Sequence, residues 1–166
     1  MPPTPFEHVV RAHGARVLRV CRGMLGPDAS GGVDADDAWS ETFLKALRAW
    51  PDLPDDLDPE AWLVTVARRT CLDVLRARTR RRTDPVAVPP EPTTHVGDHP
   101  GSRDVDDAGV WAHVAALPPK QRAVVTYRYL GGLDYERIAA LVGGTPTAAR
   151  RAAADGLTTL RRKEIR

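Results

Sequence analysis

Residues 117 to 163 read LPPKQRAVVTYRYLGGLDYERIAALVGGTPTAARRAAADGLTTLRRK. Two double glycines divide this stretch. After the Pro118-Pro119 break, residues 120 to 130 keep an apolar helical period and stop at Gly131-Gly132, the residue type that most readily turns a chain past a helix end. Asp134 stands where a side chain caps a new helix, and Ile138, Ala139, Leu141 and Val142 supply that helix's apolar face. Gly143-Gly144 turns the chain again, and Thr145-Pro146 caps a last helix expected to reach residue 163. A short helix, a glycine turn and a basic helix follow the grammar of a helix-turn-helix. A short helix around Val110, Trp111, Val114 and Leu117 precedes it, which makes residues 110–166 one small lobe.

Upstream, Asp58-Pro59-Glu60 offers a cap, a first-turn proline and an acid matched to the helix dipole. A long helix through residue 82 follows, with Trp62, Leu63, Val66, Thr70, Val74 and Ala77 as its expected buried stripe. Beyond Leu75 the apolar signal fades, and Arg76, Arg78, Arg80, Arg81 and Arg82 crowd an end that seeks an anion or water. A second helix is predicted from residue 34 to 50, burying Ala35, Ala38, Trp39, Phe43, Ala46 and Leu47. Its other side carries Asp36, Asp37, Ser40, Glu41 and Leu44. The first helix starts at Thr4-Pro5-Phe6-Glu7, buries Val10, Val17, Cys21 and Met24, and ends at Gly26-Pro27. Residues 83–109 hold five Pro, three Gly and six acids with no sustained apolar period, the composition of a linker. The expected fold is all-α: two small helical lobes, 1–82 and 110–166, joined by a flexible Pro/Gly/Asp-rich linker, the second lobe a helix-turn-helix.

The chain has 166 residues, 42% of them hydrophobic and 5% aromatic, with a formal net charge of +2. That total conceals an alternation. Residues 1–27 carry four Arg against one Glu, and 28–60 carry ten acids against two bases. Residues 61–82 swing back with seven Arg against one Asp, 83–109 are acidic, and 110–166 hold ten bases against four acids. Local fields of this kind steer polyanions. No apolar run approaches the length of a membrane span and the N-terminal residues lack a secretory pattern, so a soluble, cytoplasmic protein is expected. Cys21 and Cys71 form no CxxC pair and read as small core residues in a reducing compartment. His95 and His99, four apart but off any helix and without a nearby Cys, read as solvated. No Gly-rich phosphate loop, metal-ligand spacing or nucleophile elbow occurs, so no enzyme, cofactor or metal is expected.

Three runs, DADDAWSETFLKA (34–46), AWLVTVARRTCLDVLRARTRRR (61–82) and LPPKQRAVVTYRYLGGLDYERIAALVG (117–143), resemble in order and spacing the second and fourth conserved regions of extracytoplasmic-function (ECF) sigma factors. The resemblance implies a non-enzymatic subunit that binds core RNA polymerase, recognises the minus-ten and minus-thirty-five promoter elements and helps melt DNA. It implies that Asp37, Ser40, Glu41 and Leu44 dock on the beta-prime clamp helices, that the beta flap is a second polymerase contact, and that an anti-sigma factor is a further partner. It assigns minus-ten DNA to the 51–60 loop and to Arg68, Arg69, Arg76, Arg78 and Arg80, with Trp62 either core or a stacking face. It assigns the minus-thirty-five element to Thr147, Arg150 and Arg151, and packing of the lobe to Tyr127, Tyr129, Leu130, Ile138 and Leu141.

The chain departs from the family's pattern in several places. Ser40 stands where Gln is usual and Arg69 where Asn is usual, and the 51–60 loop carries five acids that repel phosphate. In the last helix Gly144, Ala149, Arg150, Arg151, Ala152, Ala153 and Asp155 replace a commoner series of an apolar residue, Val, Lys, Ser, Arg, Leu and Arg. Gly156 adds a helix penalty of about 1 kcal/mol relative to Ala. These departures predict a second lobe that is marginal alone and reads DNA weakly. They also keep an alternative open: a sigma-like adaptor that binds polymerase or an anti-sigma partner but has lost promoter recognition.

Overall fold

The structure, a computed structural model, describes residues 5–27, 33–83 and 107–164. The Thr4 cap and the body of the linker lie outside them. Among the described residues the chain is helical throughout, without strands. Helices α1 (Phe6–Leu25), α2 (Val33–Ala49) and α3 (Pro59–Thr83) pack on one another as the first lobe. Helices α4 (Asp107–Ala115), α5 (Pro119–Val125), α6 (Tyr135–Val142) and α7 (Pro146–Glu164) form the second.

The caps carry the boundaries. Asp58 Oδ1 accepts from the amides of Glu60 at 3.1 Å and Ala61 at 3.2 Å, which starts α3 one residue after the cap. Asp134 accepts from the Arg137 amide at 2.7 Å to start α6, and Thr145 Oγ1 from Ala148 at 3.2 Å to start α7. Gly26, at φ 66°, ends α1 where the sequence breaks. The stretch after α5 departs from the regular helix expected over 120–130. Thr126–Leu130 widens into a π-turn, closed by the Gly131 amide donating to Thr126 O at 2.9 Å.

Large rings border the core of the first lobe, Phe43 buried and the others half-buried. Phe6, Trp39, Phe43, Trp50 and Trp62 touch in series, with neighbouring centroids 4.7 to 6.5 Å apart, distances typical of tilted aromatic pairs. Trp39 Nε1 donates to Gly14 O at 2.8 Å and ties α2 to α1. Cys21 and Cys71 meet in the core as fully buried free thiols, and that mutual contact followed by burial holds the Cys21 pKa well above its ordinary value. The buried side of α3 is rotated from the expected stripe. Leu63, Val64, Ala67, Thr70 and Cys71 are sealed, whereas Trp62, Val66, Val74 and Ala77 are half-buried. Leu47 at 50% exposure, Val110 at 46% and Tyr129 at 53% also face outward, against expectation. Leu47 and Val110 lie beside buried Ala46 and Trp111, so period alone placed those stripes one position off, whereas the packing role of Tyr129 came from the resemblance.

In the second lobe the last helix packs by close approach. Ala149, Ala153 and Gly156 turn inward from α7, and a Cβ on Gly156 would meet Val125 Cγ2 at 2.7 Å. The glycine that weakens α7 intrinsically is what lets it lie against α5.

The two lobes pack together. α1 runs against the π-turn, where a Cβ on Gly23 would meet Leu130 Cδ1 and Thr126 Oγ1 at 2.8 Å. Gly131 opposes Val64 across the same seam, and Gly132 sits against Arg16 and Glu60, which pair at 2.9 Å. Tyr127, the largest fully buried side chain, belongs to the second lobe, yet its packing cluster includes first-lobe residues.

Candidate nucleic-acid interface

The arginines of α3 do not share one environment. Arg69, Arg76, Arg80, Arg81 and Arg82 are exposed, and Arg76 makes only a surface pair with Asp73 at 3.3 Å. Arg78 is half-buried in a clamp: Nε and Nη2 each reach Asp34 Oδ2 at 2.6 Å while Nη1 donates to Leu25 O at 2.8 Å. It joins the ends of α1, α2 and α3. Arg68 is half-buried and faces Tyr127 of the second lobe. The buried Tyr127 hydroxyl has no hydrogen bond of good geometry, and burial raises its pKa far more than the nearby Arg68 charge lowers it. Three of the five sequence-assigned arginines, Arg69, Arg76 and Arg80, are therefore exposed, Arg76 with its surface pair to Asp73, while Arg68 and Arg78 are half-buried.

Beside α3, an open cleft of about 550 Å³ lies between the lobes, lined among others by Leu57, Asp58, Trp62, Leu133, Arg137 and Leu141. Trp62 thus joins the aromatic series and also borders the cleft. Asp58, the cap of α3, receives Arg137 Nη1 at 2.5 Å from α6, and Arg137 also lies 3.7 Å from its own cap, Asp134. That hydrogen bond, first among several causes, holds the Asp58 pKa below its ordinary value, and it raises that of Arg137. Asp58 and Arg137 are 79 positions apart, and nothing in the sequence couples them.

On α2, Asp37, Glu41 and Leu44 are exposed along one side, and Ser40 is half-buried. Leu44, at 48% exposure, is a large apolar group rimmed by charge. Glu41 pairs with Lys45 at 3.5 Å, and Lys45 reaches Thr70 Oγ1 at 3.4 Å.

On α7, Thr147, Arg150, Arg151 and Ala154 are exposed, at the i, i+3, i+4 and i+7 spacing of one helical face. Ala149 and Ala153, two of the departures noted above, point the other way, into the lobe. Arg150 does not stand alone. Its guanidinium lies 5.1 Å from the centroid of the Tyr135 ring, and Arg128 lies 4.9 Å from the same centroid. Sequence alone assigns Tyr135 no role, because its partners come from two other elements, the π-turn and α7.

No helix among the described residues is long and apolar enough to cross a membrane. Residues 9–81 match the Sigma-70 region 2 family and residues 110–160 the Sigma-70, region 4 family. The chain is 32% identical over 137 residues to the ECF RNA polymerase sigma factor SigD of Mycobacterium tuberculosis, covering 81% of this chain and 65% of SigD. It is 30% identical over 159 residues to the same organism's probable ECF RNA polymerase sigma factor SigI, covering 90% of this chain and 52% of SigI. The chain thus spans between half and two thirds of these relatives' lengths. Its fold is similar to that of the sigma factor RpoE of Bartonella quintana, solved in complex with the anti-sigma factor NepR, with TM-score 0.69 and 20% identity over 95% of this chain and 94% of that one. It is likewise similar to CnrH, solved with the cytosolic domain of CnrY, with TM-score 0.64 and 20% identity over 94% of this chain and 84% of that one. With both conserved sigma regions present in order and ECF proteins among its relatives, the chain belongs to the ECF sigma factor family.

Proposed function

We propose that this chain is the promoter-specificity subunit of a bacterial RNA polymerase, acting in the cytoplasm by binding and melting DNA and performing no covalent chemistry. The observation that carries the reading is the outward face of α7, where Thr147, Arg150 and Arg151 stand together while the neighbouring small residues turn inward. Arginine at such positions suits guanine edges or phosphate. The adaptor alternative drew its motive from the altered last helix. Ala149 and Ala153 lie in the packing face, so those two changes do not touch the outer face, where Arg150, Arg151 and Asp155 are the departures.

In this reading residues 1–82 hold polymerase and the minus-ten element, 83–109 connect, and 110–166 hold the minus-thirty-five element and the beta flap. Asp37, Ser40, Glu41 and Leu44 dock on the beta-prime clamp helices, where Leu44 supplies apolar burial and the acids set register. Arg69, Arg76 and Arg80 take backbone phosphates; Trp62 at the cleft offers a ring face to an unstacked base. The two promoter elements lie about 25 base pairs apart, roughly 85 Å along B-form DNA. A closed chain of this length is only about 40 Å across, so the lobes must part to engage both elements. The seam supports parting. Thr126 Oγ1 and the Tyr127 hydroxyl are buried there without hydrogen bonds, and Arg122 lies near Arg78, its pKa lowered by burial and then by that like charge. An anti-sigma factor, of the kind solved with RpoE, is a further partner of this reading.

The test is co-purification with core polymerase at low and moderate salt. Stable association that survives moderate salt is expected. Absence of association at both salts removes the reading.

A further inference from the structure

The Tyr135 ring sits where three elements meet. It occupies the first position of α6, directly after the Asp134 cap, and is half-buried against the core. Arg128, from the π-turn, is fixed: its Nη1 donates to Leu133 O at 3.0 Å, and its guanidinium lies over the ring. Arg150, from the outer face of α7, is exposed, and its guanidinium lies over the same ring. The Tyr129 hydroxyl meets that of Tyr135 beside them.

An exposed arginine has several rotatable bonds and loses that freedom when it contacts DNA. A ring face that already holds the guanidinium removes part of that loss before binding. Arg128, pinned at the same ring, also repels Arg150, which leaves the second guanidinium held near the ring but in need of an anionic or acceptor-rich partner. We propose that Tyr135 is a positioning residue for promoter recognition, with its ring pre-aiming Arg150 at the DNA. This inference rests on the reading of the α7 face given above, and it extends that reading to a residue on the other helix of the motif.

The probe is a set of short duplexes enriched from a random pool by the holoenzyme reconstituted with the full chain. Equilibrium binding of holoenzyme to these duplexes is compared for the wild type, Tyr135→Leu, Tyr135→Phe, Arg150→Ala and the Tyr135→Leu/Arg150→Ala double variant. Tyr135→Leu is expected to weaken binding about two- to fivefold, the size of an exposed cation–π contact. Tyr135→Phe, which keeps the ring, should restore most of that loss. The double variant should bind as Arg150→Ala does, because a ring that acts only through Arg150 has nothing left to position. An equal further loss in the double variant overturns the positioning role while leaving Arg150 as a DNA contact. Wild-type binding by Arg150→Ala overturns the reading of the α7 face itself. A second measurement does not depend on the variant's fold: the Arg150 Nε–H resonance of the free wild-type chain should be displaced upfield by the ring. An undisplaced resonance overturns the proposal.

Discussion

The two lobes reach a packed core by different means. The first seals an aliphatic interior that includes Val17, Val20, Leu63 and Val64, borders it with a mostly half-buried series of rings from Trp39 through Phe43 and Phe6 to Trp50 and Trp62, and ties its helix ends through Arg78. The second holds its last helix with Ala149, Ala153 and Gly156 and buries two rings, Trp111 and Tyr127, of which Tyr127 packs in a cluster shared with the first lobe. Large side chains remove much apolar area from water within one unit; small ones gain mainly by close contact. The second lobe leans on the first through Tyr127, and the contact is made through glycines that a larger residue would push apart.

The sharpest way to break this contrast is Gly156→Val. The added side chain has no room beside Val125, and overpacking of this kind costs about 1–3 kcal/mol, to which the β-branch adds nothing favourable. Thermal unfolding followed by hydrogen exchange should show α5 to α7 losing protection while α1 to α3 keep theirs. Uniform loss across both lobes would mean that they form one cooperative core.

Arg78→Ala is the matching test in the first lobe. It strips Asp34 and Leu25 O of a half-buried charged partner, with an expected loss of about 1–3 kcal/mol. Chemical denaturation should report it as a lower midpoint at unchanged slope. A variant that keeps full stability but loses DNA affinity would return Arg78 to the DNA face.

Gly23→Ala probes the seam. Alanine favours α1 by up to about 1 kcal/mol, yet its Cβ intrudes on Leu130 and Thr126. The first lobe should hold or gain stability while small-angle scattering reports a larger radius of gyration. An unchanged radius would mean that the seam yields without opening.

The smallest effect belongs to Asp58→Asn. Asparagine keeps the cap of α3 and loses the exposed ion pair to Arg137, so helix content should not change while the lobes open slightly more often, an effect that salt erases in the wild type. The pH dependence follows from the sign of the shift. The folded-state pKa of Asp58 is depressed, so the contribution is complete above the ordinary carboxylate value and fades as pH falls through the depressed one. Interlobe distance measured by paired fluorophores should lengthen on acidification in the wild type and lose that transition in the variant.

Local signals in the sequence specified much of this. Asp58, Asp134 and Thr145 cap where their residue type and the following proline or acid foretold, and Gly26 ends α1. The register of buried stripes was less legible, because a period near 3.6 leaves two adjacent positions competing for one face: Val64 and Ala67 won over Trp62 and Val66. The π-turn at 126–130, which packs against α1, escaped the apolar period. The outer side of α2 was readable from spacing, and that of α7 from the family resemblance. The clamp of Arg78, the approach of Arg68 to Tyr127 and the ring beneath Arg150 were not, because their partners come from elements that only the fold brings together.

The most direct test of the account is transcription from a random promoter library by core polymerase reconstituted with this chain. The account predicts transcripts that share two upstream sequence blocks at a fixed spacing, with Arg150→Ala/Arg151→Ala degrading the distal block alone. Transcripts no more selective than those of core polymerase by itself would contradict it.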